Sequence, residues 1–144
     1  MALFSQNRKV EALRRAPLFS ELSKKELTSL ARMSDDLEIE PGKVLCKEGQ
    51  IGREFFVIVD GKVDVTRKGK LVKRSGGSDF FGEIALIEDI PRTATVTAQT
   101  PLRLFVLTSR DFRRLVQESP SVERKVMRSL ARRLLENCDE PGLG

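Results

Sequence analysis

Histidine, tryptophan and tyrosine are absent from this 144-residue chain, and cysteine occurs only twice. Without histidine there is no Ser-His-Asp or Cys-His nucleophile, no histidine-ligated metal and no imidazole switch near neutral pH. Without tryptophan and tyrosine there is no phenolic acid and no cage of those two rings. Cys46 and Cys138 are too few for a thiolate zinc site and do not make a disulfide framework. They read as structural thiols in a reducing compartment, which points to the cytoplasm. No run approaches the ~18 apolar residues of a membrane-spanning helix. The N-terminus turns charged by Arg8 and has no apolar core or small-residue cleavage site, so neither membrane insertion nor a secretory leader is expected. Asp60 and Asp64 are lone acids, and no metal site is expected from them.

What is present suits a globular chain: 40% hydrophobic and 33% charged residues, enough to bury a core without staples. The length fits one domain over 1–144. The net charge of +5 invites a nucleic-acid partner. However, the basic residues of 1–34 and 108–136 are interleaved with acids, the pattern of solvated helix faces, and nucleic acid is not expected.

Hydrophobic periodicity divides the chain into three parts. Helices are expected over 5–34, where Pro17 interrupts the first and Ser23-Lys24-Lys25-Glu26 is a capping box for the second. From 35 to 107 the period drops to two, with short strands stopped by Pro41-Gly42, Glu48-Gly49, Asp60-Gly61 and Thr100-Pro101; Asp60-Gly61 reads as a hairpin turn. Over 108–136 the helical period returns, with Thr108 or Ser109 capping one helix and Ser121 the last. The last helix carries two apolar rows, Val122-Val126-Leu130-Leu134 and Met127-Ala131-Leu135. Helices, then strands, then helices make an α+β fold with an all-β sandwich or barrel at its centre.

One segment, Asp79 to Val96, breaks the strand pattern with about two turns of helix, Glu83 to Glu88. Gly82 stands at the change from strand to helix, where a missing side chain lets a ligand approach the backbone. The amides of Ile84 and Ala85 follow as first-turn donors for an anion. Arg92 offers a planar fork that matches two phosphate oxygens, Glu83 a carboxylate suited to a sugar hydroxyl, and Thr93 a neutral hydroxyl. Together they suit a phosphorylated ribose of single negative charge.

This segment closely resembles the phosphate-binding cassette of cyclic nucleotide-binding domains, F-G-E-[LI]-A-L followed by P-R-x-A-T/x-V. Here it reads Phe81-Gly82-Glu83-Ile84-Ala85-Leu86 and then Pro91-Arg92-Thr93-Ala94-Thr95-Val96. Pro41-Gly42-Lys43-Val44-Leu45, Glu48-Gly49 and Phe55 to Val63 resemble the family's first strands, and the likeness spans residues 15–136. The loop before the cassette departs from the family's Gly-Pro-Gly-Asp, reading Gly76-Gly77-Ser78-Asp79, with Ser75 in place of a common apolar residue.

The resemblance implies an eight-stranded antiparallel β-barrel or jelly roll with a short cassette helix and flanking N- and C-terminal helices. It implies a non-catalytic regulatory domain, without cofactor, that binds a cyclic nucleotide at Phe81, Gly82, Glu83, Ile84, Ala85, Arg92, Thr93 and Ala94. Glu83 would take the ribose 2′-hydroxyl, and Arg92 the cyclic phosphate with the amides of Ile84, Ala85 and Ala94. Cyclic AMP is favoured. The alternatives are cyclic GMP, for which Thr93, Lys73, Arg128 and Ser129 are the nearest base-reading groups, and a vestigial pocket in a protein-interaction module. A metal-dependent cupin enzyme fails for want of histidine. Further expected partners are an effector domain or protein of unknown identity and a second copy through the C-terminal helix.

Overall fold

The computed structural model describes residues 6–77 and 79–137. Ser78, Cys138 and the expected helix start at residue 5 lie outside the described residues. Helix α1 (Gln6–Arg15), a 3-10 turn (Pro17–Phe19) and α2 (Lys24–Met33) precede β1 (Asp35–Ile39), β2 (Val44–Cys46), β3 (Glu54–Asp60), β4 (Val63–Arg67), β5 (Lys70–Ser75) and β6 (Phe80–Phe81). A second 3-10 turn (Glu83–Leu86), β7 (Thr95–Ala98), β8 (Leu102–Thr108), α3 (Ser109–Glu118) and α4 (Pro120–Asn137) complete the order.

The strands form two four-stranded sheets, β1-β8-β3-β6 and β2-β7-β4-β5, with every pairing antiparallel. Every connection except β4 to β5 crosses from one sheet to the other, which is a jelly roll. Asp60-Gly61 is therefore a crossover from β3 to β4, not the turn of a hairpin: β3 pairs with β6 and β8, and β4 with β5 and β7. Local turn chemistry is the same in both cases; what differs is the sheet that receives the next strand.

Strands β3 and β8 carry the apolar runs Phe55–Val59 and Leu104–Leu107 because both of their faces are covered there. Phe55 pairs with Leu107 and Val57 with Phe105, and these four join the core beneath the helices. Phe56 pairs with Val106 and Ile58 with Leu104, and these pack between the sheets with Val63, Val96 and Ala98. Phe19 delivers the helical layer onto the first sheet, edge-on to Phe55 at 5.6 Å and tilted on Phe112 at 5.9 Å. Charges and two half-exposed side chains, Leu71 and Val72, mark the edge strand β5.

The helix boundaries follow local chemistry. Ser23 and Glu26 form the expected reciprocal capping box, and the Asp111 amide donates to Thr108 Oγ1, so Thr108 caps α3. Buried Lys9 donates to the carbonyls of Ala31 and Ser34 at the end of α2 and pairs with Asp36 at 3.3 Å. Ser121 does not cap α4. The helix begins one residue earlier at Pro120, whose fixed φ suits a first helical position, and the Ser121 hydroxyl donates to Glu26 instead. The row Val122-Val126-Leu130-Leu134 divides along its length: the first two are buried, Leu130 is partly buried, and Leu134 is exposed like Met127 and Leu135. No helix among the described residues is long and apolar enough to cross a membrane.

α4 is held to the N-terminal helices through two acids. Glu26 accepts from Ser121 and from Lys125 Nζ at 2.7 Å, and Glu21 pairs with Arg128 and Arg132 at 3.4 and 3.3 Å. Burial raises the Glu26 pKa, but hydrogen bonds from Lys125, Ser121 and Ser23 outweigh it and hold the carboxyl at about 2 instead of 4.5. A carboxyl lowered by folding stabilises the fold above its unfolded pKa and loses that contribution as pH falls toward its folded one. Glu26→Gln is expected to lower the denaturation midpoint at pH 7, with the gap to the parent closing between about pH 4.5 and 2. Chemical denaturation across that range checks this, and a gap independent of pH refutes it.

Candidate functional site

The segment from Phe81 to Ala94 wraps one end of the space between the sheets. Phe81 stacks on Phe56, 4.7 Å between centroids with 19° between planes, and Phe80 turns to the other face against Phe55. Gly82 then takes φ +86°, ψ 16°, the left-handed region that glycine enters without cost. A Cβ there would stand 2.6 Å from the Glu54 carbonyl oxygen and would overlap the Arg92 guanidinium. The space at Gly82 is thus taken by the protein's own arginine and carbonyl.

Glu83 to Leu86 is a single 3-10 turn, shorter than the expected two turns of helix. The chain must extend again for Pro91, which bridges to Ile51, and the residue before a proline is pushed out of helical geometry. The 3-10 bond from the Ala85 amide to the Gly82 carbonyl, 3.0 Å, also gives Ala85 an internal partner that sequence reasoning did not assign to it. Leu86 is fully buried in the helical core and anchors the turn. Glu83 and Ala85 are buried, while Ile84 is partly exposed.

The returning chain is clamped at Arg92. Its amide donates to the Gln50 carbonyl and its carbonyl accepts from the Gly49 amide, both at 2.9 Å. Its Nη2 donates to the Glu54 carbonyl at 2.6 Å. The Thr93 carbonyl accepts from Arg67 Nε at 3.0 Å, and Thr95 Oγ1 accepts from the Glu48 amide at 3.0 Å. At the cassette's far end, Asp89 pairs with Arg53 at 3.7 Å and Arg113 at 3.5 Å, which ties the cassette to α3.

These elements line a half-open cavity of about 460 Å³, within the range of small-molecule sites. Phe81, Gly82, Glu83, Ile84, Ala85, Arg92, Thr93 and Ala94 all line it. Arg67, Lys73 and Arg92 supply cations, and Glu83 is the one acid among the described lining residues. Arg128 and Ser129 on α4 do not line it; Arg128 is paired with Glu21, and Ser129 is buried. No group of three His, Cys, Asp or Glu side chains suited to a metal is found among the described residues.

Three contributors had no sequence signal. Cys46, read as a structural thiol, is buried in the cavity wall. Burial pushes its pKa up to about 11; the Arg92 charge opposes this and the Glu54 charge adds to it. The Glu54 carbonyl is a backbone group, which no residue type announces. Arg67 reaches Thr93 only because β4 and β7 are paired.

Residues 36–119 match the model of a family described as cyclic nucleotide-binding domain. The chain is 38% identical over 106 residues to a cAMP-dependent protein kinase regulatory subunit of Yarrowia lipolytica, covering 72% of this chain and 28% of that protein. The N-terminal domain of a transcriptional regulator from Streptomyces coelicolor A3(2) superposes with a TM-score of 0.81 at 31% identity, over 89% of this chain and 93% of that one. The regulatory domain of Toxoplasma gondii PKA, solved with cAMP, gives a TM-score of 0.71 at 29% identity, over 78% of this chain and 45% of that one. The chain spans about a third or less of the length of the curated relatives it matches.

The crowding at Gly82 sets an expected stability difference. Gly69 has a similar φ, +79°, but nothing lies within 4 Å of its would-be Cβ. Gly69→Ala carries only the left-handed strain, about 1–2 kcal/mol. Gly82→Ala carries that strain and must also move the Glu54 carbonyl, so its urea midpoint is expected below that of Gly69→Ala. Equal midpoints would show that Gly82 is not tightly packed.

Proposed function

The chain belongs to the cyclic nucleotide-binding domain family, and we propose that its cavity binds cyclic AMP and that the domain acts as a regulatory sensor without catalysis of its own. The observation that carries this reading is the convergence of Glu83 and Arg92, from the two ends of the cassette, on one cavity. Arg92 meets the ligand's single negative charge. A guanidinium keeps its charge at any working pH and presents several N–H donors, so it can hold the Glu54 carbonyl and phosphate oxygens together. Glu83 accepts from the ribose 2′-hydroxyl. The amides of Ile84 and Ala94 complete the phosphate cradle, with Thr93 beside them. Ala85 contributes wall, because its amide is bonded to Gly82.

Cyclic AMP is favoured because the Yarrowia relative is named for dependence on it and the Toxoplasma domain was solved with it. One observation favours the second reading, cyclic GMP: Lys73 lines the cavity and offers a cation to a purine carbonyl. Binding shifts an existing equilibrium of the cassette and the terminal helices. The effector that reads this shift differs among the similar proteins and lies in a partner or in sequence outside this domain. The exposed row Met127, Leu134 and Leu135 suits contact with a second copy. The cytoplasm is the proposed compartment.

Calorimetric titration with both cyclic nucleotides tests the reading. Arg92→Ala is expected to weaken cyclic AMP binding by about 2–5 kcal/mol, the loss found when one member of a buried charge pair is removed. A mutant that binds like the parent refutes the site.

Glu83→Ala is expected to weaken cyclic AMP strongly and 2′-deoxy cyclic AMP little, because the deoxy ligand has no hydroxyl for the carboxylate to hold. Equal losses for the two ligands would assign Glu83 a role away from the ribose.

A further inference from the structure

Glycine at position 52 has no backbone explanation. Gly42 and Gly49 take φ of +89° and +86° with open space around them, so they are glycine for conformation. Gly52 is not among the positive-φ glycines. The three atoms nearest its would-be Cβ all belong to one side chain, Arg92: the Cβ would overlap Nε and Cζ and stand 2.5 Å from Nη2. The guanidinium therefore passes over Gly52 on its way to the Glu54 carbonyl, in space that any side chain would fill.

We infer that Gly52 is a positioning residue for ligand binding: its missing side chain sets where the Arg92 guanidinium sits. This rests on the reading of Arg92 as the phosphate-binding group. The two glycines beside Arg92 differ in what an alanine would meet. At Gly82 the obstacles include a backbone carbonyl and a left-handed φ, so the fold itself resists. At Gly52 the obstacle is the far end of a flexible side chain, which gives way first. An alanine at 52 turns the arginine off the Glu54 carbonyl and away from the cavity wall while leaving the sheets alone. The neighbours fix the backbone independently, through the Ile51–Pro91 bridge and the bond from the Arg92 amide to Gln50.

The test is a double-mutant cycle with cyclic AMP as the titrated probe, using the full chain. Gly52→Ala is expected to weaken binding about tenfold or more in the parent background and by less than about twofold in the Arg92→Ala background, the signature of two residues acting through one contact. The ligand-free melting temperature is expected to be unchanged or slightly higher, because alanine restricts the unfolded chain. An equal loss in both backgrounds overturns the inference by showing a general structural effect. Full affinity in Gly52→Ala alongside weak binding by Arg92→Ala overturns the inference alone. A Gly52→Ala protein that does not fold also overturns it, since only one side chain should have to move. Parent-like binding by Arg92→Ala overturns the reading of the site and the inference with it.

Discussion

Strands β3 and β8 lie side by side with apolar side chains on both faces, and neither face can be left to water. Phe56, Ile58, Leu104 and Val106 demand a second sheet; Phe55, Val57, Phe105 and Leu107 demand the helices. Each demand is met by burial of the kind that contributes about 25 cal/mol per Å² of apolar surface. The cavity is a consequence of this arrangement. The cassette hangs between the two cores, with Leu86 sunk in the helical one and Phe81 stacked on the inner one through Phe56. Its polar groups are left facing the gap between these anchors.

Within that gap the charges are kept distinct by the protein. A thiolate beside Arg92 would neutralise the guanidinium and compete with an anionic ligand. A thiol is already largely neutral at physiological pH, and burial moves Cys46 further in that direction, to about 11. The groups that fix Arg92 from behind, the carbonyls of Glu54 and Gln50 and the Gly49 amide, carry no net charge. These bonds hold Arg92 without themselves neutralising it.

Much of this was legible in the sequence, for reasons that differ by residue. The Ser23–Glu26 capping box is local chemistry and reads directly. The residues from Phe81 to Ala94 that line the cavity could be singled out because turn, acid and arginine occur within one short segment. What escaped depends on contacts between distant parts of the chain. Asp60-Gly61 has turn composition, but the next strand joins the other sheet. Ser121 has the side chain of a cap, but Glu26 on another helix claims its hydroxyl. The row of α4 splits after Leu130 because, among the described residues, the core beneath it ends there, which no periodicity can announce. Gly52 owes its identity to a side chain forty positions away.

The jelly-roll order has a temporal side. β1 pairs with β8, and β3 sits between β8 and β6, so the first sheet closes around the strand synthesised last. While the chain grows on a ribosome, the run Phe55–Val59 waits exposed until Leu102–Thr108 has emerged. Nearly the whole strand-forming segment must be made before its first sheet can form. Such long-range pairing is slow and leaves apolar strands open to aggregation meanwhile. The vulnerable interval of the nascent domain is thus set by the time needed to translate from β3 to β8.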